Sequence, residues 1–473
     1  MHGLRMNNER AAMNHPSPWR VIAAIVFATT ILVLASTSAQ TQTAPQPSVA
    51  TKYDPVADQE LGRRISVSAE TLPPPKTPPL VRNTSLIVPY AGQTPKAMPG
   101  FTVAPYVTGL EHPRRLLVLP NGDVIVAEQR VGYLTLLRDS NGDGKVDYIS
   151  RYADDFRAPY GLAYRDGWVL VADQDGIWRV PHVMGALRAG RPFQQKVTDV
   201  PPDQRKPTPN VYLQELITKK GVFGVVAGHQ NRPLAIDPKS GALFVGVGSV
   251  GNIAVEPEVK ASIQRFDADG SNQSTFASGM RNPTAIAFQP GTGDLYTVVQ
   301  ERDGLGDRVP PDFLTRVARG AFYGWPFSYT GQNPQGGFAS LAPEKVKAAV
   351  KPDLLFEAHS SVLDILFYEG SQFPDEYRGD AFVALKGSWN RSEPTGYKVV
   401  RVRFKDGRPE GWYQNFLTGF WISGTDRAEV WGRPTALAVT RDGSLLVADD
   451  TGGTIWRVSS TGPRTQGAGA PQR

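Results

Sequence analysis

The sequence of 473 residues contains no cysteine. This absence excludes disulfide bonds, thiolate catalysis and covalent attachment of a c-type haem. The chain also lacks a stripe of Lys and Arg with interleaved aromatic residues, so its net charge of +6 does not predict a nucleic-acid partner. Apolar side chains, which make up 40% of the sequence, must stabilise the fold by packing alone.

The N-terminal residues 1–39 have the order of a secretory signal peptide. Arg5, Arg10 and Arg20 precede the apolar run VIAAIVFATTILVLA, and small residues follow it up to Ala39. We expect cleavage near Ala39 and a periplasmic or secreted protein. The apolar run is nearly long enough to span a bilayer, so an uncleaved membrane anchor is the alternative interpretation.

The composition divides the remaining chain into three parts. Residues 40–100 are rich in Pro, Thr and Ser, which predicts a linker or an extension along the surface. Residues 101–460 form the main domain, and residues 461–473 a flexible tail. Within the main domain one pattern recurs, in which two β-rich runs are joined by a short turn, usually with Gly. The copies lie at 113–128, 159–173, 233–247, 283–299, 362–386 and 434–449.

This repetition predicts an all-β fold, a six-bladed β-propeller. Asn-Gly, Asp-Gly or Ser-Gly between two β-rich runs is typical of a hairpin, and hairpins repeated every few tens of residues are typical of propellers. A β-sandwich is the alternative, although it gives no reason for the repetition. His229, Arg281, His359 and Arg433 each lie just before an apolar first strand, so the symmetry of the blades predicts that they gather around one axis.

Several longer segments stand out beside the repeats: RNPTAIAF at 281–288, ERDGLGDRVPPD at 301–312, FYGWPFSY at 322–329, 370–404 with GSWNRSEPTGYKVV, and 432–459. These segments resemble the soluble quinoprotein sugar dehydrogenases, in particular the sorbosone dehydrogenase-like branch. The resemblance implies pyrroloquinoline quinone as cofactor with calcium, and oxidation of a sugar, a sugar aldehyde or a related alcohol. It also implies a separate electron acceptor, such as a cytochrome or a quinone.

The resemblance implies that His229 is the general base. A base that removes a hydroxyl proton must be neutral with a pKa near the working pH, so we expect activity to rise through a group near pH 6–7. The alternative is a histidine that only bonds backbone groups where a strand begins. The cofactor contacts implied in the same way are Arg281, Asn282, His359, Lys386, Asn390 and Arg433. Lys386 has a simpler alternative, a strand-end lysine in water.

Two loops are candidates for calcium. The resemblance implies that Gln300, Glu301, Arg302 and Asp303 present mostly backbone carbonyls to the calcium beside the quinone, a ligand type that calcium accepts. The segment DSNGDGKVD spaces its polar side chains like the start of a calcium loop, although Ser150 stands where an EF-hand needs Glu. A plain Asx-Gly turn is the alternative. These side chains are Asp139, Asn141, Asp143 and Asp147.

Two other functions fit the predicted architecture. One is a calcium-dependent, lactonase-like hydrolase, which uses carboxylates around a central metal. The other is a propeller without catalytic activity that binds a ligand, because a fold does not determine its function. The predicted site residues are mainly His, Arg and Lys, which favours the dehydrogenase over the hydrolase.

Overall fold

The computed structural model of the protein describes residues 55–78, 81–189 and 214–462, and these residues are predominantly β-strands. The predicted signal peptide lies outside the described residues, as does the predicted tail from residue 463 onwards. Within the described ranges, no helix is both long and apolar enough to cross a membrane. The two α-helices among them are short, α1 at Pro55–Gln59 and α2 at Pro343–Ala348.

In the described part of the main domain, the four-stranded or larger antiparallel sheets are six, numbered 1 to 6 in chain order. The N-terminal strands β1 to β4 are Arg64–Ile65, Leu86–Ile87, Lys96–Ala97 and Phe101–Val107. Sheet 1 contains β5 to β8, at Pro113–Val118, Val124–Glu128, Tyr133–Arg138 and Tyr148–Ala153. Sheet 2 contains β9 to β12, at Gly161–Arg165, Trp168–Ala172, Ile177–Pro181 and Glu215–Leu216. Sheet 3 contains β13 to β16, at Leu234–Ile236, Leu243–Val247, Ser262–Phe266 and Ser274–Ser278.

The second half of the domain repeats this plan with two inserted hairpins. Sheet 4 contains β17, β18, β19 and β22, at Asn282–Phe288, Leu295–Gln300, Phe313–Arg316 and Leu354–Leu355. The hairpin β20 and β21, at Ser328–Tyr329 and Asn333–Pro334, is inserted before β22. Sheet 5 contains β23 to β26, at Val362–Phe367, Ala381–Leu385, Lys398–Lys405 and Arg408–Thr418. After β27 and β28, at Trp421–Ser423 and Glu429–Val430, sheet 6 contains β29 to β31, at Pro434–Val439, Leu445–Asp449 and Thr454–Ser460.

The sheets are joined into a ring through their first strands, which are β5, β9, β13, β17, β23 and β29. Each first strand contacts the first strand of the next sheet, and β29 contacts β5. Sheet 6 takes its fourth strand from the beginning of the domain, because β4 pairs with β31. This arrangement is a β-propeller, and each predicted repeat supplies the two inner strands of one sheet.

The N-terminal extension is bound to the outside of this ring. Strands β1 and β3 pair with β26 at the edge of sheet 5, and β2 pairs in parallel with β28. Asp58 is buried and forms an ion pair of 3.1 Å with Lys398. The described part of the extension is therefore a surface layer fixed by strand pairing and a buried charge pair.

One buried carboxylate connects three of the sheets. Asp364 in β23 forms an ion pair with Arg115 in β5 and accepts the backbone N–H of Leu437 in β29 at 2.8 Å. It also accepts the N–H of Ile365 at 2.9 Å. Burial raises the pKa of Asp364, and Arg115 opposes that rise. Sheets 1, 5 and 6 thus meet at a single satisfied charge.

We expect Arg115→Ala to lower the free energy of unfolding by about 3–5 kcal/mol, because it leaves the carboxylate of Asp364 buried without its cation. Denaturant unfolding measures this change. The control is Arg403→Ala, which removes a half-exposed partner 3.7 Å from Glu410 and is expected to cost at most about 1 kcal/mol. Equal effects of the two substitutions would show that the buried pair does not stabilise the ring.

Candidate functional site

A cavity of about 160 Å³ lies where the first strands of sheets 3, 4 and 5 begin. Three of the predicted residues, His229, Arg281 and His359, line it from the segments that precede β13, β17 and β23. In an antiparallel hairpin the start of the first strand and the end of the second lie at the same edge, so residues that follow β18 and β24 reach the same place. The remaining lining residues are Gln300, Glu301, Asp303, Asp312, Ser361, Trp389 and Asn390.

His229 is oriented by the backbone of the next strand. Its Nδ1 lies 2.8 Å from the carbonyl oxygen of Ser249, which can only accept, so Nδ1 carries the hydrogen and Nε2 the lone pair. Burial, followed by the positive charge of Arg281, lowers the pKa of His229 to about 4. The imidazole is therefore neutral throughout the range in which a base must work. The expected acid limb near pH 6–7 is wrong for this site, because the imidazole is shielded from water and lies beside a cation.

Gly248 permits the close approach of His229 to its neighbours. A Cβ at this position would lie 2.5 Å from the Cβ of His229 and 2.6 Å from Oδ1 of Asn282. Both distances are shorter than any real carbon contact, so a larger residue would displace one of the two side chains. Sequence reasoning did not single out this glycine, although its place after the apolar run ALFVGV is a visible signal.

Arg281 binds the loop that follows sheet 4's second strand. It donates from Nη1 to the carbonyl of Glu301 at 2.8 Å, from Nε to the carbonyl of Asn252 at 3.1 Å, and from Nη2 to Oδ1 of Asn252 at 3.1 Å. These bonds do not use all five guanidinium N–H groups, so Arg281 keeps donors for a ligand. Asn282, the next residue, donates to Oε1 of Gln300 at 2.9 Å.

His359, Asp303 and Asn390 form a second group in the same cavity. Nε2 of His359 lies 2.9 Å from the carbonyl of Gly306, and Asn390 donates to Oδ1 of Asp303 at 2.6 Å. Burial lowers the pKa of His359. Because Nε2 faces a carbonyl, Nδ1 carries the lone pair, and it lies 3.4 Å from Nδ2 of Asn390.

Two fully buried carboxyl groups were not anticipated as a pair. Burial raises the pKa of Glu301 to about 7, with Arg281 opposing the rise, and burial raises the pKa of Asp312 to about 7 against its backbone donors. Asp312 accepts the N–H of Glu301 at 2.9 Å and that of Ser361 at 2.7 Å, so it connects sheets 4 and 5. Sequence reasoning missed Asp312 and Ser361, because their roles come from a hydrogen bond between two sheets.

Three buried oxygen atoms around the cavity have no hydrogen-bond donor among the described residues: Oδ1 of Asn282, Oε1 of Glu301 and Oδ1 of Asn390. Unpaired buried acceptors are unfavourable, and oxygen atoms of this kind are the ligands that calcium prefers. In the described residues no three His, Asp or Glu side chains are grouped to bind a metal ion. A cation in this cavity would therefore rest on backbone and amide oxygens with at most one or two carboxylates.

The predicted calcium loop is partly occupied by protein donors. The carbonyl of Glu301 accepts from Arg281, and that of Asp303 accepts from Nδ2 of Asn252 at 3.0 Å and from Nε of Arg302 at 3.1 Å. A carbonyl has two lone pairs, so Asp303 has none left for a metal, while Glu301 keeps one. The carbonyl of Asp303 is therefore removed from the predicted ligand set.

Lys386 and Arg433 lie together, but they do not line the cavity of His229. Lys386 forms an ion pair with Asp450, which Arg114 also contacts at 2.7 Å. Burial and then Arg114 lower the pKa of Lys386 to about 7. Arg433 donates to the carbonyls of Lys386 at 3.0 Å and Gly387 at 2.9 Å. The water-exposed interpretation of Lys386 is wrong, since its side chain is 15% exposed and paired.

The loop DSNGDGKVD has the geometry of an Asx-Gly turn. Asp139 accepts the N–H groups of Gly142 and Gly144 at 2.7 and 2.8 Å, and Asp143 accepts that of Lys145 at 2.8 Å. Asp147 accepts the N–H of Ser140 at 2.7 Å. These carboxylates point at their own backbone, as in an Asx-Gly turn, and no three acidic side chains of the described residues are grouped around a common point. Calcium at Asp139, Asn141, Asp143 and Asp147 stays a prediction.

Comparison with known proteins agrees with this geometry. A family model described as TrAA12-like matches residues 343–461. An uncharacterized protein of Borreliella burgdorferi is 29% identical over 66% of this chain and 78% of its own. A pyrroloquinoline quinone-dependent pyranose dehydrogenase of Coprinopsis cinerea is 27% identical over 78% of this chain, and this chain spans 55% of that relative's length.

The holo form of the pyranose dehydrogenase PQQ domain of Coprinopsis cinerea has the same fold. Its TM-score is 0.62 at 22% identity, over 78% of this chain and 98% of that one. The described part of the chain thus has the fold of that PQQ domain. In fold and in sequence the chain is therefore similar to pyrroloquinoline quinone-dependent sugar dehydrogenases.

We expect the NMR signals of His229, assigned by comparison with His229→Gln, to show no titration between pH 5.5 and 8. Unfolded histidine has a pKa near 6.5, so the unfolded chain binds more protons below that pH. Stability should accordingly fall as the pH drops from 6.5 towards about 4, the folded pKa. A midpoint near 6.5 in the folded protein would contradict the buried, neutral imidazole.

Proposed function

We propose that the protein oxidises a sugar, a sugar aldehyde or a related alcohol with pyrroloquinoline quinone and calcium. The observation that carries the proposal is the neutral His229, oriented through Nδ1 and lining one cavity with Arg281, His359 and Asn390. The similarity in sequence and fold to the pyrroloquinoline quinone-dependent pyranose dehydrogenase supports it. Within this proposal, the substrate specificity is of the sorbosone or the glucose type. We also assign the six sheets to six propeller blades, of which the third, fourth and fifth line this cavity.

In the proposed reaction His229 takes the hydroxyl proton at Nε2 while the same carbon loses a hydride. The quinone, when bound beside calcium, supplies the two-electron acceptor for that hydride. Because burial and Arg281 keep the imidazole neutral, His229 needs no prior deprotonation. Its low pKa makes it a weak base, so the transfer depends on the hydride leaving at the same time.

The positive residues suit a flat cofactor with several carboxylates. Arg281 offers its remaining N–H donors inside the cavity, while Lys386 and Arg433 supply charge from the neighbouring cluster. We assign calcium to the loop after β18, with the carbonyls of Gln300, Glu301 and Arg302. The donor-free Oε1 of Glu301 and Oδ1 of Asn390 are further oxygen ligands at this place. These residues fit the group that the family implies.

The lactonase-like alternative is less well supported. Such a hydrolase requires several carboxylates around one metal, and the part of the chain that the structure describes contains no such group. A propeller that only binds a ligand does not account for a histidine whose tautomer and neutrality are both determined by its surroundings. The dehydrogenase is therefore the function that the site supports best.

Reconstitution with His229 variants tests the function. We expect the purified parent protein to take up pyrroloquinoline quinone in the presence of calcium, seen as a bound quinone spectrum, and to reduce a dye with sugars. His229→Gln should retain the bound quinone, whereas turnover falls about 10²–10⁴-fold, the usual contribution of a general base.

The matched control is His182→Gln. His182 is another buried neutral histidine, 3.0 Å from the hydroxyl of Tyr152 and outside the cavity, so turnover per folded molecule should stay at the parental value. If His229→Gln turns over at the parental rate, or the parent binds no quinone, the proposed function is wrong.

We further propose that the chain is exported and passes its electrons to a separate acceptor, a cytochrome or a quinone. The leader pattern of residues 1–39 supports export, and the absence of cysteine is compatible with an oxidising compartment. N-terminal sequencing of the protein from the periplasm is expected to begin near Gln40. An intact leader on membrane-bound protein would favour the anchor instead.

A further inference from the structure

A second chamber of about 220 Å³ adjoins the cavity of His229, and the N-terminal extension forms part of its wall. The two cavities share Asp303, Trp389 and Asn390 as lining residues. On the outer side the chamber is lined by Val81 and Arg82 of the extension. A ligand in the second chamber would therefore lie next to the proposed base.

Asn83, the residue after Arg82, fixes the extension at this position through two hydrogen bonds. Its backbone N–H donates to the carbonyl of Trp389 at 2.9 Å, and its Oδ1 accepts the N–H of Arg391 at 3.2 Å. The guanidinium of Arg82 lies 6.0 Å from the centre of the Trp389 ring. Arg82 is thus an exposed cation over the chamber. The extension that carries it is hydrogen-bonded to the residues directly before and after Asn390.

The charged side chains of the chamber have a positive balance. Arg82 and Arg302 line it, and Asp303 is the only acidic lining residue among those that the structure describes. The carboxylate of Asp303 already accepts from Asn390 at 2.6 Å and lies 3.7 Å from Nη2 of Arg281. The two arginines consequently keep donors for an anion, and arginine binds carboxylates through two parallel hydrogen bonds.

From this geometry we infer that the second chamber is a substrate subsite for the carboxylate of an acidic sugar, with Arg82 as a specificity-determining residue. The inference rests on the proposed function and deepens it by naming the substrate class. The ring of Trp389, 36% exposed and shared by both cavities, offers an apolar surface to the sugar ring between the acid group and the reacting hydroxyl.

Binding of glucuronate and glucose tests the inference, because these sugars differ only in the acid group at C6. The holoenzyme is used with its cofactor reduced and no electron acceptor present, so that binding is not followed by turnover. Calorimetry should show tighter binding of glucuronate than of glucose by the parent. Arg82→Ala should weaken glucuronate binding about 10- to 100-fold, the range for losing a charge-assisted hydrogen bond. Arg82→Lys should bind glucuronate more weakly than the parent and more tightly than Arg82→Ala.

The matched control is Arg64→Ala. Arg64 belongs to the same extension and lies 4.3 Å from the ring centre of Trp412, away from both cavities. This variant should bind both sugars as the parent does. The quinone content of every variant is measured from its spectrum, because a carboxylate of the cofactor is the other anion that Arg82 could contact.

The outcomes separate the two proposals. Equal binding of both sugars by the parent, or loss of quinone from Arg82→Ala with unchanged preference for the acid, would overturn the subsite. If the parent takes up no quinone, the calorimetry is repeated on the unloaded protein. Glucuronate binding that still depends on Arg82 would then support the subsite and refute the dehydrogenase, and no binding would overturn both.

Discussion

The contact between Asp364 and Arg115 is the constraint on which the ring depends. A charge inside the core is tolerated only when its partners are placed accurately, and the partners of Asp364 come from three different sheets. The apolar side chains between the sheets restrict the geometry less, because a shift by a fraction of an ångström costs them little free energy. This carboxylate therefore determines how far β5, β23 and β29 can shift along one another. His359 and Ser361, which precede β23, reach the cavity only if that register is correct.

Exclusion of water also determines the protonation of the titratable groups in the cavity. Arg281 serves twice, since it binds the loop carbonyl of Glu301 and helps to keep His229 neutral. Exclusion from solvent raises the pKa of Glu301 and of Asp312 to about 7, which favours their neutral forms. A bound cation would favour the ionised form of both groups, so metal binding in this cavity would release protons.

The sequence predicted the repeats and the strand-entry residues, because hairpin turns and apolar periodicity are local signals. His229, Arg281 and His359 meet as the repeat register required. Asp312 and Ser361 could not be found in this way, since their roles come from a bond between two sheets that no local pattern records. The wall formed by Arg82 was also invisible. A Pro-rich segment carries no signal of where it will lie, and its place beside Trp389 follows from the pairing of β2 with β28 and from the bond of Asn83 to Trp389.

The origin of strand β4 has a consequence for how the molecule folds. Thr102 and Ser459 are bonded in sheet 6 although they are 357 residues apart along the chain. The long loop between these strands must close, at a cost in entropy, before their pairing can stabilise the sheet. Contacts between residues that are distant in sequence slow folding for this reason. Sheets 1 to 5 can be completed from their own strands, whereas the sixth waits for both ends of the domain. Until then the exposed edge of β31 can pair with the β4 of another molecule. Exchange of this strand between chains, a form of domain swapping, is therefore the misfolding event to which this fold is prone.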